Sequence, residues 1–240
     1  MSDRLLTGKT AVISGGSHGL GKAIGAQLAQ LGADVVLLAR DGERLEAAAS
    51  ELRTHGGRVQ GIVCDVSRRD DVEAAAAQIM AEMGRVDVLV NNAGIPAPRT
   101  FAETTLDDWD AVIGVNLSSA FYLTRALWEA LVASGAGYVV TISGTAGVRG
   151  GGSPAYGSAK FGLTGLNHAI AQAGKDAGVR ATILYPGGMD TGWRGAPIGK
   201  PRAESMDPDE VARLIAHLVT SPPEFVVNEA VLSPLSSPFL

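Results

Sequence analysis

The stretch Lys9-Thr-Ala-Val-Ile-Ser-Gly-Gly-Ser-His-Gly-Leu-Gly-Lys22, continued to Gly32, decides how the chain reads. Thr10 to Ser14 has the apolar character of a strand. Gly15, Gly16, Ser17, His18, Gly19, Leu20 and Gly21 make a tight loop, and an amphipathic helix opens near Leu20. Glycines at Gly15, Gly19 and Gly21 let the backbone turn sharply and approach a ligand closely. The unpaired amides at the helix start point into that loop and favour an anion. A pyrophosphate fits best, because strand, glycine loop and helix form the first half of a dinucleotide-binding unit. The spacing is Gly-x-x-x-Gly-x-Gly, not the commoner Gly-x-Gly-x-x-Gly, and such loops also occur as plain strand-to-helix turns.

Working outward, apolar runs alternate with helical patterns to the end of the chain. Strands are expected at Thr10 to Ser14, Asp34 to Ala39, Val59 to Asp65, Val86 to Asn91, Tyr138 to Ser143, Arg180 to Tyr185 and Glu229 to Leu232. Most are rich in Val, Ile and Leu without strict alternation, the signature of parallel strands covered by helices on both faces. Helices are expected near residues 20 to 31, 42 to 55, 68 to 83, 106 to 134, 154 to 176 and 208 to 219. Asp207-Pro208 with Glu210 combines a cap, a first-turn proline and a capping partner, while Ser67 to Asp70 and Thr105 to Asp108 have capping-box spacing. The fold class is α/β, a doubly wound sandwich, and residues 1 to 240 read as one dinucleotide-binding and catalytic domain. The Gly/Pro-rich stretch from Gly187 to Pro201 is long for a connection and reads as a substrate lid or a passive surface loop.

Composition narrows the function. Hydrophobic residues make up 46%, charged residues 19%, and there are 31 glycines, as suits an α/β enzyme and not a disordered chain. The net charge of -5 and the lack of any Lys/Arg run argue against nucleic acid and anionic membrane as partners. No apolar stretch in Met1 to Thr10 is long enough for a signal peptide, so a cytoplasmic location is expected. Cys64 is the single cysteine and reads as a small buried hydrophobe. His18, His55, His168 and His217 are scattered without ligand spacing, so no metal is expected.

Ser153, Pro154, Ala155 and Tyr156 open the helix that carries Lys160. Serine caps it and proline takes the first position, placing Tyr156 and Lys160 one turn apart on one face. An ammonium beside a phenol favours the phenolate and lowers the tyrosine pKa toward working pH, which makes a general acid/base. By itself Tyr-x-x-x-Lys is also a common structural pattern in helices.

With its surroundings the chain resembles the short-chain dehydrogenase/reductase family over nearly its whole length. The resemblance rests on Ser14-Gly-Gly-Ser-His-Gly-Leu-Gly21, Asp65-Val66, Asn91-Asn-Ala-Gly94, Asn116, Tyr156 to Lys160, and Pro186-Gly187 with Thr191, each at a strand end or on a helix. It implies a Rossmann-like parallel sheet of about seven strands in the order 3-2-1-4-5-6-7. A nicotinamide dinucleotide would lie with its phosphates on Gly15, Ser17, His18, Gly19, Leu20 and Gly21. Asp65 and Val66 would meet the adenine, and Asn91, Ala93 and Gly94 would line the cofactor path. Lys160 would bind the nicotinamide ribose as well as tune Tyr156, so both belong to the cofactor site too. Asn116 would hold a water of the proton relay, and Pro186, Gly187 and Thr191 would fix the carboxamide. Each has a plainer reading: Asp65 as a turn cap, Asn116 as a backbone partner in a kinked helix, Pro186 as a strand end.

The second strand ends Leu38-Ala39-Arg40, with no acid to hold a ribose hydroxyl. Arg40, helped by His18, would instead meet a 2'-phosphate, so NADP(H) is expected over NAD(H). The family's catalytic serine is ambiguous here. Counting back from Tyr156 gives Ser143, whereas reading Ile142-Ser-Gly-Thr-Ala-Gly147 forward puts Gly144 in that place. Ser143 is the expectation adopted, with Thr145 as a substitute, or a weak or silent site, as the alternatives.

The implied reaction passes a hydride between the nicotinamide and a small-molecule carbonyl or secondary alcohol, with Tyr156 handling the proton and Asn116, Ser143 and Lys160 assisting. A cofactor-retaining isomerase or dehydratase, and a nucleotide-binding sensor with a weakened site, are the other readings. Ile95 to Phe101, Arg149 to Ser153 and Gly187 to Lys200 would shape the substrate, with Arg99, Arg149, Arg194 and Lys200 either on an anion or in solvent. Family members dimerise or tetramerise through two long helices, here 106 to 134 and 154 to 176, and a homodimer or homotetramer is expected. Phe121, Leu123, Leu127, Trp128, Leu131, Phe161, Leu163 and Leu166 are apolar enough to allow it.

Overall fold

Seven strands and eight α-helices alternate along the chain in a computed structural model that describes residues 4–98, 100–149, 153–192, 198–199 and 204–237. The strands are β1 (Thr10–Ser14), β2 (Asp34–Ala39), β3 (Val59–Val63), β4 (Val88–Asn91), β5 (Tyr138–Ile142), β6 (Arg180–Pro186) and β7 (Glu229–Leu232). They form one sheet in the order β3-β2-β1-β4-β5-β6-β7, every pair parallel. This is the expected doubly wound, Rossmann-like arrangement.

The helices are α1 (Gly19–Gln30), α2 (Gly42–Leu52), α3 (Arg69–Met83), α4 (Leu106–Ile113), α5 (Ser119–Ala133), α6 (Ala146–Arg149), α7 (Pro154–Ala177) and α8 (Pro208–Thr220). Successive strand residues feed opposite faces. Ile13 and Leu37 join Ile24, Leu28 and Ile215 on one face, while Val12, Val36 and Leu89 join Ile79, Leu123 and Leu127 on the other. Both faces are dry, which is why β1 and β2 read as unbroken apolar runs. Each such side chain contributes about 1.5–3 kcal/mol of hydrophobic stabilisation.

The strand order reverses between β1 and β4, and in sheets of this kind the crevice at that reversal, beyond the carboxyl ends of the strands, is where ligands bind. One hydroxyl holds the two strand ends together. Ser14 Oγ accepts from the amides of Asn92 and Ala93, each at 3.0 Å, and donates to the Val90 carbonyl at 3.3 Å. At the opposite end of the same strands buried Asp87 accepts from the Thr10 amide at 2.9 Å and pairs with Lys9 and Arg85. Burial works to raise the Asp87 pKa, but Arg85, the Thr10 amide and Lys9 outweigh it and hold the carboxyl below its ordinary value.

Three local features differ from the sequence reading. The helix expected over 106 to 134 is divided into α4 and α5 by a π-helical turn, Gly114–Ser118. Ser67 does not cap α3. Its hydroxyl donates to Asp65 Oδ1 at 2.7 Å, and Arg68 stands at the cap position without a side-chain bond. The short helix α6 follows β5 where only a loop was expected. Thr105 and Asp108 make the expected reciprocal box, and Asp207 and Ser153 accept amides of α8 and α7. Cys64 is buried, and that burial pushes its thiol up to about 11. Among the described residues no helix is long and apolar enough to cross a membrane.

Candidate active site

A cleft of about 560 Å³ opens at the reversal of strand order. Its walls include Gly15, Ser17 and His18 of the glycine loop, Ala39 and Arg40 after β2, Asp65 and Val66 after β3, and Ala93 and Gly94 after β4. Residues scattered over eighty positions thus meet in one place because the strand ends converge there.

The loop itself requires glycine at two points. Gly15 has φ +66, and a Cβ there would stand 3.0 Å from Asn92 Nδ2. At Gly21 a Cβ would lie 2.2 Å from the Gly15 carbonyl oxygen, which no side chain tolerates. His18 occupies the cap position of α1 without bonding its amides, so those donors keep their capacity for an anion. Ser17 Oγ and His18 Nδ1 are 3.2 Å apart. Thr191 lies over the loop: a Cβ on Gly19 would be 3.3 Å from Thr191 Cβ.

Asp65 shows how charge is arranged in the cleft. Burial favours its neutral form, but hydrogen bonds from Ser67 and the charges of Arg40 and Arg68 outweigh that and hold its pKa below the usual value. Arg44, one helical turn beyond Arg40, also lines the cleft, and its amide is capped by Asp41 at 3.1 Å. The sequence reading passed over Arg44, although its i,i+4 spacing from Arg40 was visible. It also passed over Asn92, whose Nδ2 donates to the Ser14 carbonyl at 2.8 Å and so fixes the mouth of the loop. Asn91, expected along the cofactor path, is turned into the core. Its Nδ2 donates to Thr124 Oγ1 at 3.0 Å, because this strand residue faces α5 and not the cleft.

The proton-transfer candidates gather where β5, α7 and the π-helical turn meet. Ser153 caps α7 by accepting the Tyr156 amide at 3.3 Å, which sets Tyr156 and Lys160 one turn apart. Lys160 Nζ donates to the Ile142 carbonyl at 2.9 Å and lies 5.6 Å from the centre of the Tyr156 ring. The side chain is buried, and desolvation pushes the Lys160 pKa down to about 8. Asn116 is 1% exposed. Its Oδ1 accepts the Ile95 amide at 2.9 Å and its Nδ2 donates to the Ile95 carbonyl at 3.0 Å. Its side chain therefore anchors the segment that follows β4 to the π-helical turn.

Ser143 does not present its hydroxyl as expected. Ser143 Oγ is buried and donates to the Lys160 carbonyl at 3.0 Å, on the side of Gly147. The neighbouring position faces the other way: a Cβ on Gly144 would stand 3.5 Å from Tyr156 Oη. Pro186 closes β6 and accepts the Thr145 amide at 3.2 Å, while the Gly187 amide donates to Leu232 at 2.7 Å. Beyond them the long connection is pinned at its base by the Met189–Met206 bridge. Its centre, with Arg194 and Lys200, lies outside the described residues, as do Arg99 and Gly150 to Gly152. Among the described residues no group of three His, Cys, Asp or Glu side chains is placed to hold a metal ion.

The model of the family described as short chain dehydrogenase matches residues 9–197. The chain belongs to the short-chain dehydrogenase family. Among its relatives within that family is the 3-oxoacyl-(acyl-carrier-protein) reductase of Chlamydia trachomatis, 30% identical over 94% of this chain and 95% of the relative. D-threitol dehydrogenase of Mycolicibacterium smegmatis is 32% identical over 91% of this chain and 88% of its own. Among solved structures, the alcohol dehydrogenase of the archaeon Thermococcus sibiricus complexed with 5-hydroxy-NADP superposes with a TM-score of 0.91. It is 31% identical, and the match covers 97% of this chain and 99% of that one. The short-chain dehydrogenase fold thus accounts for the whole described sheet, including β6 and β7.

Proposed function

We propose that the protein is an NADP(H)-dependent oxidoreductase acting on a carbonyl or secondary-alcohol substrate, with Tyr156 as its general acid/base. The observation that carries this reading is the buried Lys160 ammonium held 5.6 Å from the centre of the Tyr156 ring, in a chain whose strand ends also form a cleft lined by the glycine loop. The relatives differ in substrate, a 3-oxoacyl group on acyl-carrier protein in one name and D-threitol in another, and share carbonyl or alcohol chemistry.

The cleft suits a nicotinamide dinucleotide. Side chains at Gly15 and Gly21 would collide with backbone, the start of α1 offers uncapped amides, and about 560 Å³ is open above them. Gly15, Ser17, His18, Gly19, Leu20 and Gly21 would hold the phosphates, Asp65 and Val66 the adenine, and Thr191, Pro186 and Gly187 the nicotinamide end. Arg40, with Arg44 beside it, would meet a 2'-phosphate, since Ala39 leaves room and no acid stands there. When bound, the cofactor supplies or accepts the hydride.

This chain's own residues govern the proton. In reduction Tyr156 Oη gives its proton to the carbonyl oxygen as negative charge develops there, and in oxidation it takes the alcohol proton. Lys160 favours the phenolate through its charge. Asn116 holds the π-helical turn against Ile95 and so fixes the wall beside this pair, with a water near it extending the relay. The 240 residues work as one domain, in the cytoplasm, and as a homodimer or homotetramer. Phe121 and Phe161, exposed on α5 and α7, support that assembly.

A second reading, a nucleotide sensor with a weak site, is favoured by the orientation of Ser143. The test is to titrate NADPH and then screen ketones, aldehydes and diketones. Binding with turnover supports the oxidoreductase, and binding without turnover across the panel supports the sensor.

A further inference from the structure

We infer that Gly144 removes one hydrogen-bond donor from the reacting oxygen and that the preferred substrate brings its own, a hydroxyl on the carbon next to the carbonyl. This rests on the oxidoreductase reading above.

Two observations place the gap. The residue facing Tyr156 Oη from the end of β5 is Gly144, whose Cβ would stand 3.5 Å from that oxygen and 3.7 Å from the Pro186 carbonyl. Both are ordinary contacts, and Gly144 lies outside the left-handed glycines, so a Cβ at this position meets neither a clash nor backbone strain. Among the described residues, those two atoms are the only ones that a Cβ at Gly144 would meet within 4 Å. The nearby Ser143 is committed elsewhere. Its hydroxyl donates to the Lys160 carbonyl and is walled in by Gly147, where a Cβ would approach it to 2.4 Å. Ser143 therefore positions the backbone of α7 beneath Lys160.

An oxygen that gains charge during reduction is stabilised by donors aimed at it, and one missing donor slows turnover by roughly 100-fold or more. A hydroxyl on the adjacent carbon of the substrate would enter the space beside Tyr156 and donate to the same oxygen. A simple ketone has nothing to place there. Selection then favours the hydroxy-ketone through the transition state, not through tighter ground-state binding.

The experiment compares acetoin, which carries a hydroxyl beside its carbonyl, with butanone, using NADPH and both the natural protein and Gly144→Ser. NADPH affinity, followed by its fluorescence, should be alike in the two proteins. The natural protein should prefer acetoin in kcat/KM, and Gly144→Ser should raise butanone turnover by about 10-fold or more, so the preference shrinks. Acetoin is intrinsically the more reactive ketone, so the change in ratio is the decisive reading. An unchanged ratio, with turnover still abolished by Tyr156→Phe, overturns this inference and leaves the oxidoreductase reading standing. If Thr145→Ala removes turnover of both ketones, Thr145 is the donor and the inference is overturned. Turnover of neither ketone by either protein overturns this inference, and the oxidoreductase reading falls with it only if the wider panel of ketones, aldehydes and diketones is not turned over either.

Discussion

Lys160 Nζ lies 5.6 Å from the centre of the Tyr156 ring and donates to the Ile142 carbonyl at 2.9 Å. A charge that the site needs is thereby held where water does not reach it, and desolvation lowers its pKa from 10.5 to about 8. The unfolded chain binds the Lys160 proton more tightly than the folded one. Stability is therefore penalised below pH about 8, and the penalty is relieved as pH rises from there to 10.5. Denaturant unfolding of the natural protein and Lys160→Met, measured across that window, should give a stability gap that narrows with rising pH by on the order of 3 kcal/mol. Parallel curves would show that Lys160 is not buried as a cation.

Gly21→Ala should disable the glycine loop. Its methyl would stand 2.2 Å from the Gly15 carbonyl oxygen, a backbone atom that cannot step aside without moving the loop. A loss of about 1–3 kcal/mol is expected in thermal or denaturant unfolding, with NADPH binding lost more completely than stability.

Ser14→Ala tests the stitch across the strand reversal. Removing Oγ leaves the Asn92 and Ala93 amides without their 3.0 Å acceptor, at a cost of about 1–3 kcal/mol for each amide that stays dry. Calorimetry should show the destabilisation, and Ser14→Thr, which keeps the hydroxyl, should recover part of it.

Arg40→Ala should weaken NADPH binding by ~10-fold or more and change NADH binding little, since only the former carries a phosphate for the guanidinium. The double variant with Arg44→Ala should go further. Equal losses for the two cofactors would remove Arg40 from the phosphate site.

Much of this was legible in the residues. β1, β2 and β7 have the bounds read from the sequence, the first two because parallel strands buried on both faces leave continuous apolar runs, and the half-exposed β7 because its short run stands between Asn228 and Ser233. The cleft residues after β1, β2, β3 and β4 were legible for a related reason: strand ends are marked locally, and a doubly wound sheet gathers them. What escaped depends on geometry that local sequence does not encode. Asn116 was read as a possible backbone partner in a kinked helix, but the residues of Gly114 to Ser118 do not say that the kink is a π-helical turn, found where Asn116 bonds the Ile95 backbone. The directions of the Ser143 and Asn91 side chains escaped the sequence because side-chain direction at a strand end depends on where the ladder stops. The Ser143 amide still bonds Leu184 at 2.8 Å, so alternation carries through it and sends Gly144, not Ser143, toward Tyr156.

The central claim is that Tyr156 handles the proton of a hydride-transfer reaction, and Tyr156→Phe tests it most directly. The variant keeps the ring packed near Lys160 and removes only the hydroxyl. NADPH affinity and unfolding should stay close to those of the natural protein, while turnover of the best substrate from the panel falls by ~100-fold or more. A Tyr156→Phe protein that binds NADPH and turns over at the natural rate would contradict the account.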